Sequence, residues 1–269
     1  MVKPAVTAAL VGLCLVALGP AHAEAQPQPP SQRRVYRLNP SVDLPLMAAT
    51  TPVLAVWFLA DEFGPPHCAP RCDPSTLNPL DRTVAGTYVP GWQRVSDATV
   101  LSFGALAIAG LAVHEGFPSS IDDTLVVLES VMVANTMAIL FNYAVRRPRP
   151  LVYGEGAPLD ARMRGNASLS FFSGHTANAF AVAVGMFQVL RRSARPLVAW
   201  TALGVGLSIA TFVGVSRIAS GAHFPSDVFA GAIIGSAAGW AIPALHSRRV
   251  HVTPMALAAG AGVSLGGMF

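Results

Sequence analysis

The chain has 269 residues, of which 52% are hydrophobic and only 12% are charged, and its mean hydropathy is +0.50. Because a soluble globular domain carries about a quarter charged residues, this composition argues against a cytosolic enzyme and against a disordered scaffold. The net charge is +4, but the basic residues are scattered in short loops and do not form the basic stripe that nucleic-acid binding needs.

The N-terminus has the pattern of a targeting segment. Lys3 precedes an apolar run over 5–18, and Ala21-His22-Ala23 has the small-x-small form of a cleavage site. We therefore predict a signal peptide over residues 1–23, with an uncleaved signal anchor as the alternative. Residues 24–43 are predicted to be a linker, because they are rich in Pro, Gln and Arg and show no periodicity.

Six apolar stretches follow the linker. They cover residues 44–60, 98–113, 124–145, 173–190, 196–216 and 228–247. A bilayer core needs about 20 apolar residues per helix and about 17 at least, so the last four stretches are long enough and the first two are short. The pattern predicts an all-α, six-helix transmembrane bundle over residues 44–247. Small residues in the later stretches predict close helix packing: Gly204, Gly206, Gly231, Gly235 and Gly239.

Basic residues predict the orientation of this bundle, since they favour cytoplasmic loops. Arginines join the fourth and fifth stretches, at 191, 192 and 195, and follow the sixth, at 248 and 249. If both sites are cytoplasmic, the loops over 61–96, 146–172 and 217–227 face outward. Six spans would then put the N-terminus inside, whereas a cleaved signal peptide would leave it outside, so the two patterns disagree on the N-terminus.

The outward loop over 61–96 contains two of the three cysteines. Cys68 and Cys72 can form a disulfide in an oxidising compartment, which is our prediction, and a metal site with His67 is the alternative. Elsewhere, Glu129 is an acid inside an apolar stretch and is expected to be a paired structural group, with part of a polar path as the alternative. His114 and His246 are expected to be interfacial side chains. Residues 248–269 are Gly/Ala-rich, resemble a short β segment and are interpreted as an appendage.

Three polar clusters lie at helix ends on the same predicted side of the membrane. The first is Arg146-Arg147-Pro148-Arg149-Pro150, the second is Ser173-Gly174-His175, and the third runs from Ser216-Arg217 to His223 and Asp227. Arginine binds phosphate oxygens in bidentate fashion, and a helix start that contains glycine is a ready anion site. A histidine aligned by an acid can attack phosphorus, and a second can protonate the leaving oxygen. The set therefore predicts a phosphate-ester site.

These residues, in this order, resemble the type 2 phosphatidic acid phosphatase superfamily, which also contains bacterial acid phosphatases and vanadium haloperoxidases. The family signature is Lys-x6-Arg-Pro, Pro-Ser-Gly-His and Ser-Arg-x5-His-x3-Asp. The third part matches completely from Ser216 to Asp227, and the second matches as Ser173-Gly174-His175 with Phe172 in place of proline. The first matches as Arg149-Pro150, but Asn142 stands where the family has lysine. The resemblance covers about residues 124–247.

The resemblance implies a role for each of the motif residues. It implies that His223 forms a phosphohistidine, that Asp227 orients His223, and that His175 is the acid. It also implies that Arg149, Arg217, Ser173 and Gly174 hold the phosphate, with Ser216 beside them, and that no metal or other cofactor is required. Because the chain has no lysine after Lys3, our hypothesis is that Arg146 or Arg147 supplies the charge missing at Asn142.

The function expected from these observations is hydrolysis of a phosphate monoester or diphosphate at the outer face of a bacterial inner membrane. A membrane-embedded pocket favours a lipid substrate, and the family suggests undecaprenyl diphosphate, phosphatidylglycerophosphate, phosphatidate or lipid A. No nucleic-acid partner is expected. The alternatives are a soluble periplasmic acid phosphatase, a vanadium haloperoxidase, and a membrane protein whose site has decayed at Asn142.

Overall fold

The computed structural model describes residues 36, 38, 40–56, 64–247, 250–257 and 260–267. The predicted signal peptide lies outside these residues, as does most of the predicted linker. Within the described part, the chain forms eight α-helices: α1 (Pro40–Val56), α2 (Pro79–Arg82), α3 (Pro90–Glu115), α4 (Ile121–Val145), α5 (Leu159–Met163), α6 (Gly174–Ser193), α7 (Pro196–Ala219) and α8 (Pro225–Leu245). Single 3-10 turns form at Pro74–Thr76, Pro150–Tyr153 and Gly165–Ser168.

Each of the six apolar stretches contributes to a helix, but the prediction of six spans is revised. Four segments of the described chain are long and apolar enough to cross a membrane: Pro90–Glu115, Ile121–Tyr153, Pro196–Ala219 and Pro225–Leu245. The first of these segments is α3. Its apolar stretch over 98–113 is short, but the helix begins at Pro90 and is therefore long enough to cross a membrane. α6 does not qualify. Polar side chains such as Asn178 and Gln188 interrupt it, as is typical of a helix surrounded by protein.

α6 is the central helix, and it packs against α3, α4, α7 and α8. Its contact with α8 depends on the predicted small residues. A Cβ at Gly231 would lie 2.6 Å from the carbonyl oxygen of Ser173, one at Gly239 would lie 2.6 Å from that of Ala181, and one at Gly235 would strike that of Ala177. The expected close packing is therefore confirmed for these three glycines. It is wrong for Gly204, which faces open space.

The four candidate spans expose large apolar side chains on their outer surfaces. Examples from each helix are Leu101 (74% exposed) on α3, Leu140 on α4, Leu197 on α7 and Phe229 (70% exposed) on α8. In water such a surface would be an aggregation hazard, whereas lipid chains solvate it. The chain therefore has the surface of a membrane protein, which counts against the soluble alternatives.

Loops cover the end of the bundle where α3 and α8 begin. Cys68 and Cys72 form a disulfide with a Cα–Cα distance of 4.9 Å, which confirms the predicted pairing over the metal alternative. Cys72 belongs to a buried apolar cluster that also contains Val152 and Phe224. The amide of Cys72 donates to the carbonyl of Val152 at 3.0 Å, and that of Gly86 donates to the carbonyl of Pro150 at 2.8 Å. These contacts fix the segments on either side of α2 against the segment after α4.

Two predictions concern the opposite end of α8. His246, expected at the membrane interface, is instead buried, and its Nε2 lies 2.6 Å from Asp43 Oδ1 and 3.2 Å from Glu129 Oε2. Glu129 thus lies within ion-pair distance of His246, as expected of a paired acid, although its Oε2 makes no hydrogen bond to the described residues. The all-α prediction for the bundle over 44–247 is confirmed for the described residues. In the tail, which was expected to resemble a β segment, Val250–Leu257 (β1) and Gly260–Gly267 (β2) form an antiparallel hairpin in which Val250 pairs with Gly267.

Candidate active site

The fold brings the three polar clusters together at one end of the bundle. α4 leads into the loop that carries the arginines, α6 begins at the second cluster, and α7 and α8 flank the third. The amide of Ser173 donates to the carbonyl of Asp227 at 3.1 Å, and the amide of Ser170 donates to the carbonyl of Arg147 at 3.0 Å. Backbone hydrogen bonds therefore join the segments that carry all three clusters.

His223 lies at the centre of this region and is 3% exposed. Its Nδ1 donates to the carbonyl oxygen of Ser170 at 2.7 Å, which leaves the lone pair on Nε2. Burial lowers the pKa of His223 well below its ordinary value, and the positive charges of Arg217 and Arg149 lower that pKa further. The imidazole is therefore neutral at physiological pH, which is the protonation state that a nucleophile requires.

Asp227 has a different set of partners from the one expected. The sequence predicted that its carboxylate accepts a hydrogen bond from His223. Instead, Oδ2 accepts from the hydroxyl of Ser170 at 2.6 Å and from the amide of Phe224 at 2.9 Å, and Oδ1 accepts from Arg147 at 2.6 Å. Asp227 therefore fixes Ser170, whose carbonyl aligns His223. The spacing of four residues places Asp227 in the first turn of α8, where its carboxylate turns back to the helix start and caps it.

Arg147 joins two buried carboxylates. Its Nη1 donates to Asp227 at 2.6 Å, and its Nη2 donates to Asp81 Oδ2 at 2.7 Å. The guanidinium also lies over the ring of Phe224, 4.3 Å from the centroid, which is a cation–π contact. Both terminal nitrogens are thus engaged with protein. Arg147 therefore bridges Asp81 and Asp227, and the hypothesis that it also supplies charge to a phosphate stays a prediction.

Asp81, on the short helix α2 before α3, completes this bridge. It is fully buried, and it accepts hydrogen bonds from the amide and hydroxyl of Ser226, at 3.0 and 2.6 Å, and from Asn78. Burial alone would raise the pKa of Asp81, but the hydrogen bonds from Ser226 and Arg147 outweigh it and hold that pKa below its ordinary value. Asp81 is therefore ionised and ties α2 to the first turn of α8.

His175, in the first turn of α6, faces an acid that the sequence analysis did not single out. Its Nε2 lies 2.9 Å from Asp97 Oδ1. Asp97 is on α3, and the same oxygen accepts from Arg217 Nη1 at 3.2 Å. His175 is about one-third exposed, and its role as the acid stays a prediction.

Arg149 and Arg217 are the two most deeply buried arginines of the three clusters, at 7% and 3% exposed. Arg149 Nε lies 3.4 Å from the carbonyl of Leu169. Arg217 donates to Ser96 at 3.1 Å as well as to Asp97, while its buried Nε has no hydrogen-bond partner among the described residues. Two buried guanidinium groups therefore lie beside a neutral histidine, an arrangement that suits an anion such as phosphate.

The predicted serines and glycine lie at the site, although their polar groups are partly engaged. Ser173 caps α6: its hydroxyl accepts from the amide of Thr176 and lies 2.9 Å from the hydroxyl of that residue. The amide of Ser173 donates to the carbonyl of Asp227. The Ser216 hydroxyl donates to the carbonyl of Phe212 within α7 at 2.8 Å. Gly174 is the first residue of α6, where helix geometry leaves its amide without an intrahelical acceptor.

Asn142 and Arg146 lie at the C-terminus of α4. Asn142 is buried and donates to the carbonyls of Ala138, at 2.7 Å, and Phe172, at 3.2 Å. It therefore holds the loop before α6 with hydrogen bonds, without the charge of the lysine found in the family. Arg146 adopts a left-handed conformation (φ 50°) and donates to the carbonyl of Gly64 at 3.4 Å.

The sequence analysis missed Asp81, Asp97 and Ser170. Asp97 immediately precedes an apolar stretch on the side where the polar clusters lie, and that placement is a signal that could have been used. Asp81 lies on the four-residue helix α2 and Ser170 lies in a loop, both too short to show periodicity, so only their long-range partners reveal them.

Comparison with known proteins agrees with the motifs. Residues 123–251 match the PAP2 superfamily, that is, the type 2 phosphatidic acid phosphatases. This match covers slightly less than half of the chain and extends slightly beyond the predicted core of 124–247.

Three relatives can be named. Over 74 residues the chain is 42% identical to a lipid A 1-phosphatase of Porphyromonas gingivalis, a match that covers 28% of this chain and 16% of that protein. Aquifex aeolicus LpxE is 24% identical, with a TM-score of 0.42 over 61% of this chain and 92% of its own. The transmembrane PAP2-type phosphatidylglycerolphosphate phosphatase of Bacillus subtilis is 18% identical, with a TM-score of 0.44 over 88% of this chain and 94% of its own.

Proposed function

We propose that this chain is a membrane phosphatase that removes a phosphate group from a lipid phosphate monoester or diphosphate through a phosphohistidine on His223. The observation that carries the proposal is the alignment of His223. Its Nδ1 is bonded to the carbonyl of Ser170 at 2.7 Å, so that a neutral Nε2 is available beside Arg149 and Arg217. The PAP2 match over residues 123–251 supports the same reaction class.

The reaction then has two displacements. In the first, Nε2 of His223 attacks phosphorus, the bond from phosphorus to the leaving oxygen breaks, and His175 gives a proton to that oxygen. In the second, water attacks the phosphohistidine, His175 takes the proton from the water, and inorganic phosphate leaves. Arg149 and Arg217 stabilise the charge on the phosphoryl oxygens in both steps.

Asp97 and Asp227 act through their neighbours. The carboxylate of Asp97, 2.9 Å from His175 Nε2, stabilises the protonated ring that donates in the first step. Asp227 holds the hydroxyl of Ser170 and through it the carbonyl that aligns His223. No metal ion takes part in either displacement as proposed.

An apolar cavity favours a lipid as the substrate. It has a volume of about 300 Å³ and lies between α3, α6 and α7, with walls that include Phe103, Gly110, Ala183 and Ile209. Phe103 is six residues beyond Asp97 on α3, about 9 Å along the helix. A lipid whose phosphate lies at His223 could therefore place an acyl chain in this cavity. The similarity to a lipid A 1-phosphatase makes a lipid A 1-phosphate the first candidate substrate.

The membrane orientation follows from the same proposal. The arginines after α6 favour the cytoplasm, and the Cys68–Cys72 disulfide favours an oxidising compartment at the other end of the bundle. We therefore place the site at the periplasmic face of a bacterial inner membrane.

The test is phosphate release by the full chain, purified in detergent, from lipid A, undecaprenyl diphosphate, phosphatidylglycerophosphate and phosphatidate in the presence of EDTA. His223→Ala should abolish release, whereas His67→Ala, which changes an exposed loop histidine, should not. A rapid quench should trap a phosphoryl group on the protein that is labile in acid and stable in base. Absence of release from every lipid by a folded protein would overturn the proposal and favour a decayed site. Equal release by His223→Ala would reject the phosphohistidine.

A further inference from the structure

The end of the bundle opposite the candidate active site contains a second polar cluster, which we call the α1–α8 cluster: Asp43, Glu129 and His246. Asp43 is in the first turn of α1, Glu129 is on α4, and His246 directly follows α8. His223 stands just before α8 and His246 just after its 21 residues, so about 30 Å of helix separates the two sites. The α1–α8 cluster is thus independent of the proposed phosphatase chemistry.

The three side chains converge on one point. Their ligand atoms, one nitrogen and two carboxylate oxygens, all lie within 4.8 Å of one another. His246 Nε2 lies 2.6 Å from Asp43 Oδ1 and 3.2 Å from Glu129 Oε2. Ligand atoms on a tetrahedral zinc ion are about 3.4 Å apart, given metal–ligand distances of about 2.1 Å. An ion could therefore enter the cluster with small side-chain movements.

The histidine is oriented as a metal ligand requires. Its Nδ1 donates to the carbonyl of Ile242 at 2.9 Å, and this hydrogen bond leaves the Nε2 lone pair directed at the two carboxylates. A backbone acceptor on the second ring nitrogen is the usual partner of a metal-bound histidine. Without an ion, a proton must lie between Nε2 and Asp43 to make a contact of 2.6 Å favourable.

The carboxylate of Glu129 provides separate support for a cation in the α1–α8 cluster. The residue is 5% exposed, and its Oε2 faces Nε2 but has no hydrogen-bond partner among the described residues. A buried carboxylate oxygen without a donor is costly. Two carboxylates with one imidazolium leave a net charge of −1 in an apolar setting, whereas two carboxylates, a neutral imidazole and a divalent cation sum to zero.

We infer that Asp43, Glu129 and His246 bind a divalent transition-metal ion of the zinc class. One nitrogen and two carboxylate oxygens are a ligand set that zinc accepts, with water as the fourth ligand. The ion would tie α1 to α4 and to the end of α8. The site is therefore structural and is distinct from the proposed hydrolytic chemistry at His223.

The test is metal binding by the full chain after chelation, with an affinity tag that contains no histidine. We expect one Zn²⁺ per chain, Co²⁺ spectra typical of tetrahedral coordination, and a rise in Tm of about 5 °C at a Zn²⁺ concentration of 100 times Kd. Glu129→Gln and His246→Gln should each weaken binding at least tenfold and remove the Tm shift. The matched controls Glu155→Gln and His67→Gln change exposed residues and should bind like the parent.

Metal binding by the α1–α8 cluster does not depend on the proposed phosphatase activity. His223→Ala should bind Zn²⁺ with unchanged affinity, even if no lipid phosphate is hydrolysed by any form of the protein. A folded parent protein that binds no Zn²⁺ or Co²⁺, or whose Tm is insensitive to both Zn²⁺ and EDTA, would overturn the inference and leave a proton-sharing cluster. Unchanged binding by Glu129→Gln and by His246→Gln would place the ion elsewhere and would also overturn it.

Discussion

Asp97 on α3 and His175 on α6 lie 2.9 Å apart, Oδ1 to Nε2, and the same carboxylate oxygen accepts from Arg217. One acid therefore links the proposed proton donor to a proposed phosphate ligand. The two helices meet only in the folded bundle, because Asp97 and His175 are far apart in the sequence.

Replacing this acid tests the proposed proton transfer. Asp97→Asn should lower kcat for phosphate release about 10- to 100-fold, because the neutral amide no longer stabilises protonated His175. KM should change less, and Asp97→Glu should restore part of kcat. Steady-state kinetics would measure this, with the exposed Asp160→Asn as the matched control. A parent-like kcat in Asp97→Asn would contradict the role.

The Arg147 bridge predicts a loss of stability. Arg147→Ala leaves Asp81 and Asp227 buried without their shared cation, and breaking a buried pair in this way costs about 3 kcal/mol or more. Thermal unfolding in detergent should therefore show a clear fall in Tm. Arg147→Lys should restore little, since one ammonium cannot reproduce the fork. If Arg147→Ala kept the parent Tm and only raised KM, a phosphate-binding role would be favoured instead.

Replacing Gly221 with a larger residue should cause a local steric clash. Its φ of +76° is unfavourable for other residues, and a Cβ there would strike the carbonyl oxygen of Thr87. Gly221→Ala should therefore displace the segment that carries His223 and reduce phosphate release at least tenfold. Gly204→Ala is the matched control, because Gly204 is helical and faces open space. Equal activity of the two variants would show that the loop can adjust without cost to the site.

The lowered pKa of His223 predicts the pH dependence of the reaction. Because burial and the charges of Arg217 and Arg149 depress that pKa well below 6.5, His223 stays neutral as the pH falls through 6.5. Protonation of His223 should therefore not limit kcat/KM until well below pH 6.5. Arg149→Gln removes one charge and should move this limit to higher pH, in addition to weakening binding. If the acid limb of the kcat/KM pH profile stayed at the same pH in Arg149→Gln, that limb would belong to a group other than His223.

The apolar cavity predicts substrate selectivity. Gly110→Phe should fill part of the cavity and raise KM for a long-chain lipid phosphate about tenfold. Hydrolysis of a small water-soluble phosphate monoester should be unchanged, because such a substrate has no tail. Gly204→Phe places the same side chain on the outer surface and is the matched control. A parallel loss of both activities in Gly110→Phe would indicate general damage to the bundle.

The sequence by itself determined the membrane character of the chain, the position of its helices and the identity of the motif residues. Hydrophobic periodicity and length are local properties, and the spacing from Ser216 to Asp227 is a short-range pattern, so both can be read along the chain. The disulfide was also predicted, because Cys68 and Cys72 share a loop that was expected to face an oxidising compartment.

Only the tertiary structure decided which groups meet. Asp81 reaches Ser226 across 145 residues, and Ser170 reaches His223 across 53. No periodic signal encodes such pairs, because they depend on how helices pack and where loops fold back. The same reason explains why His246 was expected at the interface. Its buried contacts come from Asp43, 203 residues away, and from Glu129, and only the packing of α1 and α4 against the end of α8 brings the three together.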